Sequence, residues 1–234
     1  TSTTHTSDGE TVQGWTVYHY DNTRVDGSAD NIFFRNQEVR HEHDQMTYDL
    51  QQDLGAGNYA ADKWVLQGTI KTTDNNISPN AQFWIMLSNN DYSTPTAGAD
   101  WGNAIALMLY PYGDVLRAVD YLNGASDWSS LPQDACSPSC HALGSTYYWE
   151  IIRDELTYDT TIRQSSHTGT VVAQHTDIAT ADHQDLQYIR LQNNAGDNES
   201  ANWEMELDDI KFYNGRTDTA DVEVSVTTYP TTPT

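Results

Sequence analysis

Apolar residues along this chain recur at every second position far more often than at every third or fourth. The runs are short and rich in β-branched and aromatic residues: "WTVYHY", "NIFFRNQEVR", "MTYDLQ", "KWVLQGTIKTT", "QFWIMLSN", "AIALMLYPYG", "VLRAVDYL", "YYWEIIRDELTYDTTIRQ", "TVVAQHT", "LQYIRLQNN", "WEMELDDIKFY" and "DVEVSVTTY". They predict roughly a dozen strands and an all-β, two-sheet antiparallel β-sandwich. In "FWIML", Phe83, Ile85 and Leu87 share a face; in "YIRL", Ile189 and Leu191 oppose Tyr188 and Arg190. That alternation predicts a core side and a wet side for each sheet. The breaks "TTDNNISPN", "SNNDYSTPTAGAD", "LNGASDWSS" and "NNAGDNESAN" are long and polar. They belong at the sandwich ends or edges, where sites usually lie. No repeat of fixed period occurs.

One segment breaks phase. In "NWEMELDDIKFYNG", Trp203, Met205 and Leu207 form an apolar face and Glu204, Glu206 and Asp208 an acidic one, but beyond the Asp pair the apolar positions become Ile210 and Phe212. A period-2 strand shifts phase only by gaining a residue, so a β-bulge is predicted at Asp208–Asp209. Without it Asp209 would enter the core unpaired, which is costly. At a bulge, an Asp can accept from freed backbone N–H groups or bind a cation, so Asp208 and Asp209 are calcium candidates. Glu204 and Glu206 stand about 6.6 Å apart along the strand, a spacing that glycosidase carboxylates also use. Nothing apolar on their face would keep one of them protonated, so no catalytic residue is assigned.

Length suits one β-rich domain: 234 residues can bury a core without staples. Residues 1–13 read as a Thr-rich arm, 14–215 as the sandwich, and 216–234 as an extra strand with a Thr/Pro-rich tail. The 34 acidic residues against 11 basic ones give a net charge of −23. Such a chain repels nucleic acid and anionic lipid, which excludes both as partners. No apolar run approaches the ~20 residues of a membrane span. The chain begins with Thr and reads as a mature or excised piece of an exported precursor.

Two cysteines, Cys136 and Cys140, lie in "CSPSC". A local disulfide is the first expectation, since Pro138 bends the chain and an exported protein meets oxidising conditions. A zinc site with His141 and free thiols are the alternatives; zinc lacks its usual second ligand pair. His41 and His43 could share a face, with no third ligand evident. Asp21, Asp26 and Asp30 lack EF-hand spacing. Asn76 and Asn198 match the glycosylation pattern. The motifs G-x-S-x-G, G-x-G-x-x-G, H-E-x-x-H and the P-loop are absent.

Loop aromatics lead furthest toward a ligand. Tyr92, Trp101, Tyr110, Tyr112, Tyr121 and Trp128 lie in or beside "NNDYS", "ADWGN", "YPYGD" and "DYLNGASDW". Rings beside Asn and Asp suit sugars: the ring stacks on the apolar sugar face and the amides bond the hydroxyls.

Taken in order, "GWTVY", "KWVLQGTIK", "STYYWEIIRDELTYDTTIR", "LQYIRLQN" and "LDDIKFYNG" resemble the concanavalin A-like, laminin G-type jelly-roll domains of secreted and surface microbial proteins, over residues 14–215. The resemblance implies a two-sheet sandwich with first and last strands adjacent on the back sheet. It also implies a closing Asp-Asp away from the concave glycan face, in a position where some relatives hold calcium. Catalytic relatives carry Glu-x-Asp-x-(x)-Glu mid-chain; here Glu-x-Glu-x-Asp-Asp closes the domain. The expected function is non-catalytic binding outside the cell or at its surface, as a lectin-like glycan-recognition or adhesion module. Glycan-binding candidates are Tyr92, Trp101, Tyr112, Tyr121 and Trp128. The alternative is a self-assembling subunit of a filament, sheath or surface layer that joins copies through its arms. A hydrolase or lyase is the third reading.

Overall fold

The computed structural model describes residues 3–5, 11–12, 15–19, 31–35, 38–42, 48–55, 60–76, 82–90, 102–110, 113–121, 134–179, 185–194 and 202–215. They form sixteen strands: β1 (Thr3–His5), β2 (Thr11–Val12), β3 (Trp15–His19), β4 (Asn31–Arg35), β5 (Glu38–Glu42), β6 (Tyr48–Asp53), β7 (Lys63–Asn76), β8 (Gln82–Ser88), β9 (Ala104–Tyr110), β10 (Val115–Tyr121), β11 (Asp134–Ala135), β12 (Thr146–Asp154), β13 (Thr157–Gln164), β14 (Val171–Ile178), β15 (Tyr188–Asn194) and β16 (Asn202–Asn214). Thirteen have five residues or more, in line with the dozen that the pattern predicts. They make two eight-stranded antiparallel sheets. The first runs β1-β4-β5-β16-β7-β12-β13-β14 and the second β11-β10-β9-β8-β15-β6-β3-β2.

Two runs that read as single strands are hairpins. "NIFFRNQEVR" folds into β4 and β5, and "YYWEIIRDELTYDTTIRQ" into β12 and β13. The second turn has no Gly, Pro or Asn to announce it. Glu155 takes the left-handed conformation (φ 59°), and the buried Arg153 donates from Nε to its carbonyl at 2.7 Å. The first hairpin also changes the topology implied by resemblance. β5 sits beside β16, whose other neighbour is β7, while "GWTVY" forms β3 in the second sheet. Opening and closing strands are therefore not adjacent.

Alternation packs the space between the sheets. Trp64, Leu66 and Ile70 of β7 and Tyr147, Trp149 and Ile151 of β12 meet Phe83, Ile85 and Leu87 of β8 and Ile105, Leu107 and Leu109 of β9. Full burial of each such side chain contributes about 1.5–3 kcal/mol. Gly68, paired with Trp149, leaves room for its indole.

The second sheet departs from the expected wet outer face. Trp84 and Met86 of β8 and Ala104, Ala106 and Met108 of β9 point away from the main core and are also buried, forming a second apolar cluster with Tyr110 against it. Arg190, expected on that wet side, is 0 % exposed. β8 and β9 are therefore covered on both faces, and so they read as nearly continuous apolar runs.

At one edge the two sheets are tied together. The Ser137 N–H donates to the Val172 carbonyl at 3.0 Å, and the His175 imidazole of β14 meets the Asp134 carboxylate of β11. Between the sheets nearby, Tyr158 is buried. Burial first, then the Asp177 and Asp120 charges, push its phenol well above the usual range, so it stays neutral.

The predicted bulge is present. Asp208 pairs with Thr69 and Lys211 with Gln67, so Asp209 and Ile210 together face Gly68. Asp209 takes φ 53°, and its N–H donates to Asp208 Oδ1 at 2.8 Å. Met205, Leu207 and Phe212 are in the core, as the phase reading requires. A second shift places an extra residue, Thr73, on β7 opposite Glu204–Met205.

Candidate functional site

Register fixes which connections meet. Ser88 closes β8 opposite Ala104, which opens β9, and Ala104 faces Tyr121 at the end of β10. On the other side Ser88 faces Tyr188, and Tyr188 faces Asp53. One end of the second sheet therefore gathers the 54–62, 89–103, 122–133 and 179–187 connections. Of the five aromatic candidates, Tyr92 and Trp101 belong to the β8–β9 connection, Tyr121 ends β10, and Trp128 lies in the segment that follows. Tyr112 belongs to the β9–β10 turn at the opposite end. All five side chains fall outside the described residues.

At the gathered end stands a polar network that sequence reading did not single out. The Asn89 N–H donates to the Asn103 carbonyl at 2.9 Å, and the Asn103 N–H returns a bond to Asn89 Oδ1 at 2.8 Å. The Asn89 amide donates from Nδ2 to Asp185 Oδ2 at 2.6 Å, and Asn103 Nδ2 approaches the same oxygen at 3.5 Å. The Asn90 N–H caps Ser88 Oγ at 3.0 Å. Gln187 ties in the next loop, donating to Asp53 Oδ1 at 2.8 Å, while Gly55 N–H donates to that oxygen at 2.7 Å. Gly102 makes the approach possible. It takes φ 60°, and a Cβ there would lie 2.2 Å from Asn89 Oδ1. The signal available in the sequence was Gly102 between Trp101 and Asn103; Asp185, more than 80 residues on, carried none.

Chemically, this is a set of amide and carboxylate groups preorganised by one another at a sheet end. Mutual bonds fix the amide orientations, so a hydroxylated ligand would meet donors and acceptors already in place. The exposed Asp185 engages the two amides through Oδ2, and its Oδ1 accepts from none of the described residues.

The other sequence candidates fall elsewhere. Cys136 and Cys140 are bonded to each other with Cα atoms 5.5 Å apart, which rules out the zinc and free-thiol alternatives. Asp114 (φ 49°) organises that segment. Its Oδ1 accepts from Cys140 N–H at 3.0 Å and Ser139 Oγ at 3.2 Å and meets His141 Nδ1 at 3.0 Å. A shallow surface dent beside it is lined by Leu109, Tyr110, Asp114, Val115, Cys140 and His141. Glu206 is held by Lys71 at 2.7 Å on the outer face of the first sheet, away from the gathered end. The side chains of Glu204 and His41, and all of His43 and Asn198, lie outside the described residues.

Two acidic sets bear on calcium. Asp208 uses Oδ1 to cap its own bulge. Among the described residues neither Asp208 and Asp209 nor Asp185 belongs to a cluster of three or more His, Cys or carboxylate ligand atoms. Asp185 Oδ2 is already faced by amide donors.

No family model matches the chain, and no curated protein matches it. Solved structures do. The VIP36 exoplasmic/lumenal domain bound to Ca2+ and Man3GlcNAc is 9 % identical with a TM-score of 0.55, covering 83 % of this chain and 82 % of that one. Arcelin-5, a lectin-like defense protein from Phaseolus vulgaris, is 8 % identical with a TM-score of 0.53, over 91 % and 96 %. The Emp47p carbohydrate recognition domain is 11 % identical with a TM-score of 0.52, over 87 % and 90 %. The fold is thus the concanavalin A-like jelly roll of lectins.

Proposed function

We propose that this chain is a non-catalytic glycan-binding module that takes its ligand at the gathered end of the second sheet. The observation that carries this is the Asn89–Asn103–Asp185 network, placed where the connections bearing Tyr92, Trp101 and Trp128 leave the sheet beside Tyr121. Amides and a carboxylate bond sugar hydroxyls, and neighbouring rings supply the apolar platform. The fold shared with sugar-bound VIP36 supports the reading. Tyr112, at the far end, is set apart from this site. The disulfide fits an oxidising, extracellular setting. Calcium is present in the VIP36 structure that holds the sugar, and Asp208 and Asp209 are its candidates in this chain. For the alternative, self-assembly through the arms, β1 pairs with β4 of its own chain and stands at the edge of the first sheet.

A glycan array spanning mannose-, glucose- and galactose-terminated oligosaccharides tests the proposal, followed by calorimetry with wild type and Asp185→Ala. Binding that the variant loses while staying folded supports it. A folded wild type that binds no glycan on the array overturns it.

A further inference from the structure

The four edges of the two sheets are unequal. β2 and β11 have two residues each and β1 has three, while β14 has eight. Short edge strands protect a sheet from pairing with another chain; a long one needs other cover. The Ala179 N–H donates to the Leu156 carbonyl at 2.7 Å, which sets the phase of the β13–β14 ladder. His175 and Asp177 therefore turn their backbone groups toward β13, and Gln174, Thr176 and Ile178 turn theirs outward.

Part of that outward row is already used. The Val172 carbonyl accepts from Ser137 N–H at 3.0 Å, and the Ile178 N–H donates to Asp177 Oδ1 at 2.8 Å. The backbone N–H and C=O groups of Gln174 and Thr176 are bonded to none of the described residues. Both residues are exposed, and so are Val171 (39 %) and Ile178 (66 %) at the two ends of the strand. What reaches this row as water can also reach it as a strand.

The chain carries a segment of the right kind. Residues 216–234 lie outside the described residues, and within them "DVEVSVTTY" alternates, with Val222, Val224 and Val226 on one side. β16 ends at Asn214, and Gly215 (φ 76°) turns the chain there. Asn214 pairs with Trp64, Lys63 with Asp154, Asp154 with Thr157 and Thr157 with Ile178, so β14 finishes at the same end of the sheet. Four strand spacings, roughly 19 Å, separate β16 from β14. The six residues 215–220 span about 20 Å when extended. A strand that starts at this end and runs back lies antiparallel to β14. At the other edge it would lie parallel to β1, whose Thr3 stands at this end too, and parallel pairing to three residues is the weaker choice. We infer that residues 221–228 add to the outer edge of β14 as an antiparallel ninth strand and bond the backbone groups of Gln174 and Thr176. Alternation sets the register: with Val222 and Val224 beside Asp177 and His175, Glu223 meets Thr176 and Ser225 meets Gln174, which keeps Glu223 off the face of the Asp177 carboxylate. The occupant is the chain's own tail, because the tether holds it at high effective concentration while a net charge of −23 opposes docking of a second copy. The added strand closes the one long edge of the sandwich against other chains.

The test is amide hydrogen exchange, read by NMR on the whole chain and on the whole chain carrying Glu223→Pro and Ser225→Pro. The two prolines remove the N–H groups that meet the Thr176 and Gln174 carbonyls. In the wild type the Gln174 and Thr176 amides should exchange at least about tenfold more slowly than in the variant, by the same factor at low and high protein concentration. The Ala173 and His175 amides, which face β13, should exchange alike in both chains, and this shows that the variant is folded. Equal rates at Gln174 and Thr176 in the two chains leave the edge open and overturn the inference. Slow exchange that appears only as protein concentration rises gives the edge to the tail of a second copy and overturns it too.

Discussion

Gly68 and Trp149 are cross-strand partners, and the indole occupies the space where a side chain at 68 would stand. A Cβ on Gly68 would lie 2.5 Å from Trp149 Cζ2 and 3.1 Å from the Asp208 carbonyl. Ring on one side and bulge on the other leave nowhere to yield. Gly68→Ala should therefore destabilise the fold by about 1–3 kcal/mol, the usual range for overpacking, read as a lower urea midpoint with unchanged slope.

The bulge itself can be relaxed. Asp209 holds a left-handed backbone that an L side chain adopts at a cost of about 1–2 kcal/mol, though less for Asp than for most. Asp209→Gly should raise the melting temperature by a few degrees, with or without calcium in the buffer. A variant less stable than wild type only when calcium is added would show that Asp209 is a ligand after all.

Gly102→Ala probes the loop-end network without removing a polar group. The added methyl meets Asn89 Oδ1 at 2.2 Å, on a backbone with φ 60°. Glycan binding on the array should fall by at least about tenfold, and stability should drop by about 1–2 kcal/mol. Unimpaired binding would place the sugar elsewhere.

The disulfide is a local clamp. Three residues lie between Cys136 and Cys140, and the chain-entropy model gives such a loop about 2 kcal/mol. The double Ser variant should lose about that much in chemical denaturation and retain glycan binding, because the clamp lies at the Asp114 end.

Acid should affect Glu150 and His167 oppositely. The Glu150 pKa is raised in the fold by burial. The unfolded chain therefore ionises first as pH rises, and this group's contribution to stability falls upward from about pH 4.5. Burial, aided by Lys211, lowers the His167 pKa. Its neutral form is favoured in the fold, so stability is lost as pH falls below about 6.5. Glu150→Gln should raise the melting temperature at pH 7 and have little effect at pH 3. An equal effect at both would show that ionisation is not the cause.

The parts of this fold legible in the sequence are those fixed by local alternation. The strands, the bulge at Asp208–Asp209 and the face shared by Met205 and Leu207 all follow from period 2, because a one-residue slip would put carboxylates in the core. Three things were not legible. The turn at Glu155 depends on Arg153 reaching its carbonyl, a contact with no signature in turn chemistry. The burial of Trp84, Met86 and Arg190 depends on what covers the second sheet, which alternation within one strand does not encode. The loop-end network was hidden for a similar reason: Asn89, Asn103 and Asp185 are distant in sequence and ordinary in type. Only register makes them neighbours.

The burial of β8 and β9 on both faces also says something about how the chain must assemble. "FWIML" and "AIALML" are short, apolar, uncharged and free of proline, the composition that stacks into cross-β aggregates when exposed. β9 gains its partners from β8 and β10 nearby, but β8 waits for β15, about a hundred residues later. During that interval the molecule's surplus of carboxylates serves a kinetic end: chains carrying a charge of −23 keep one another at a distance while their most adhesive segments are still bare.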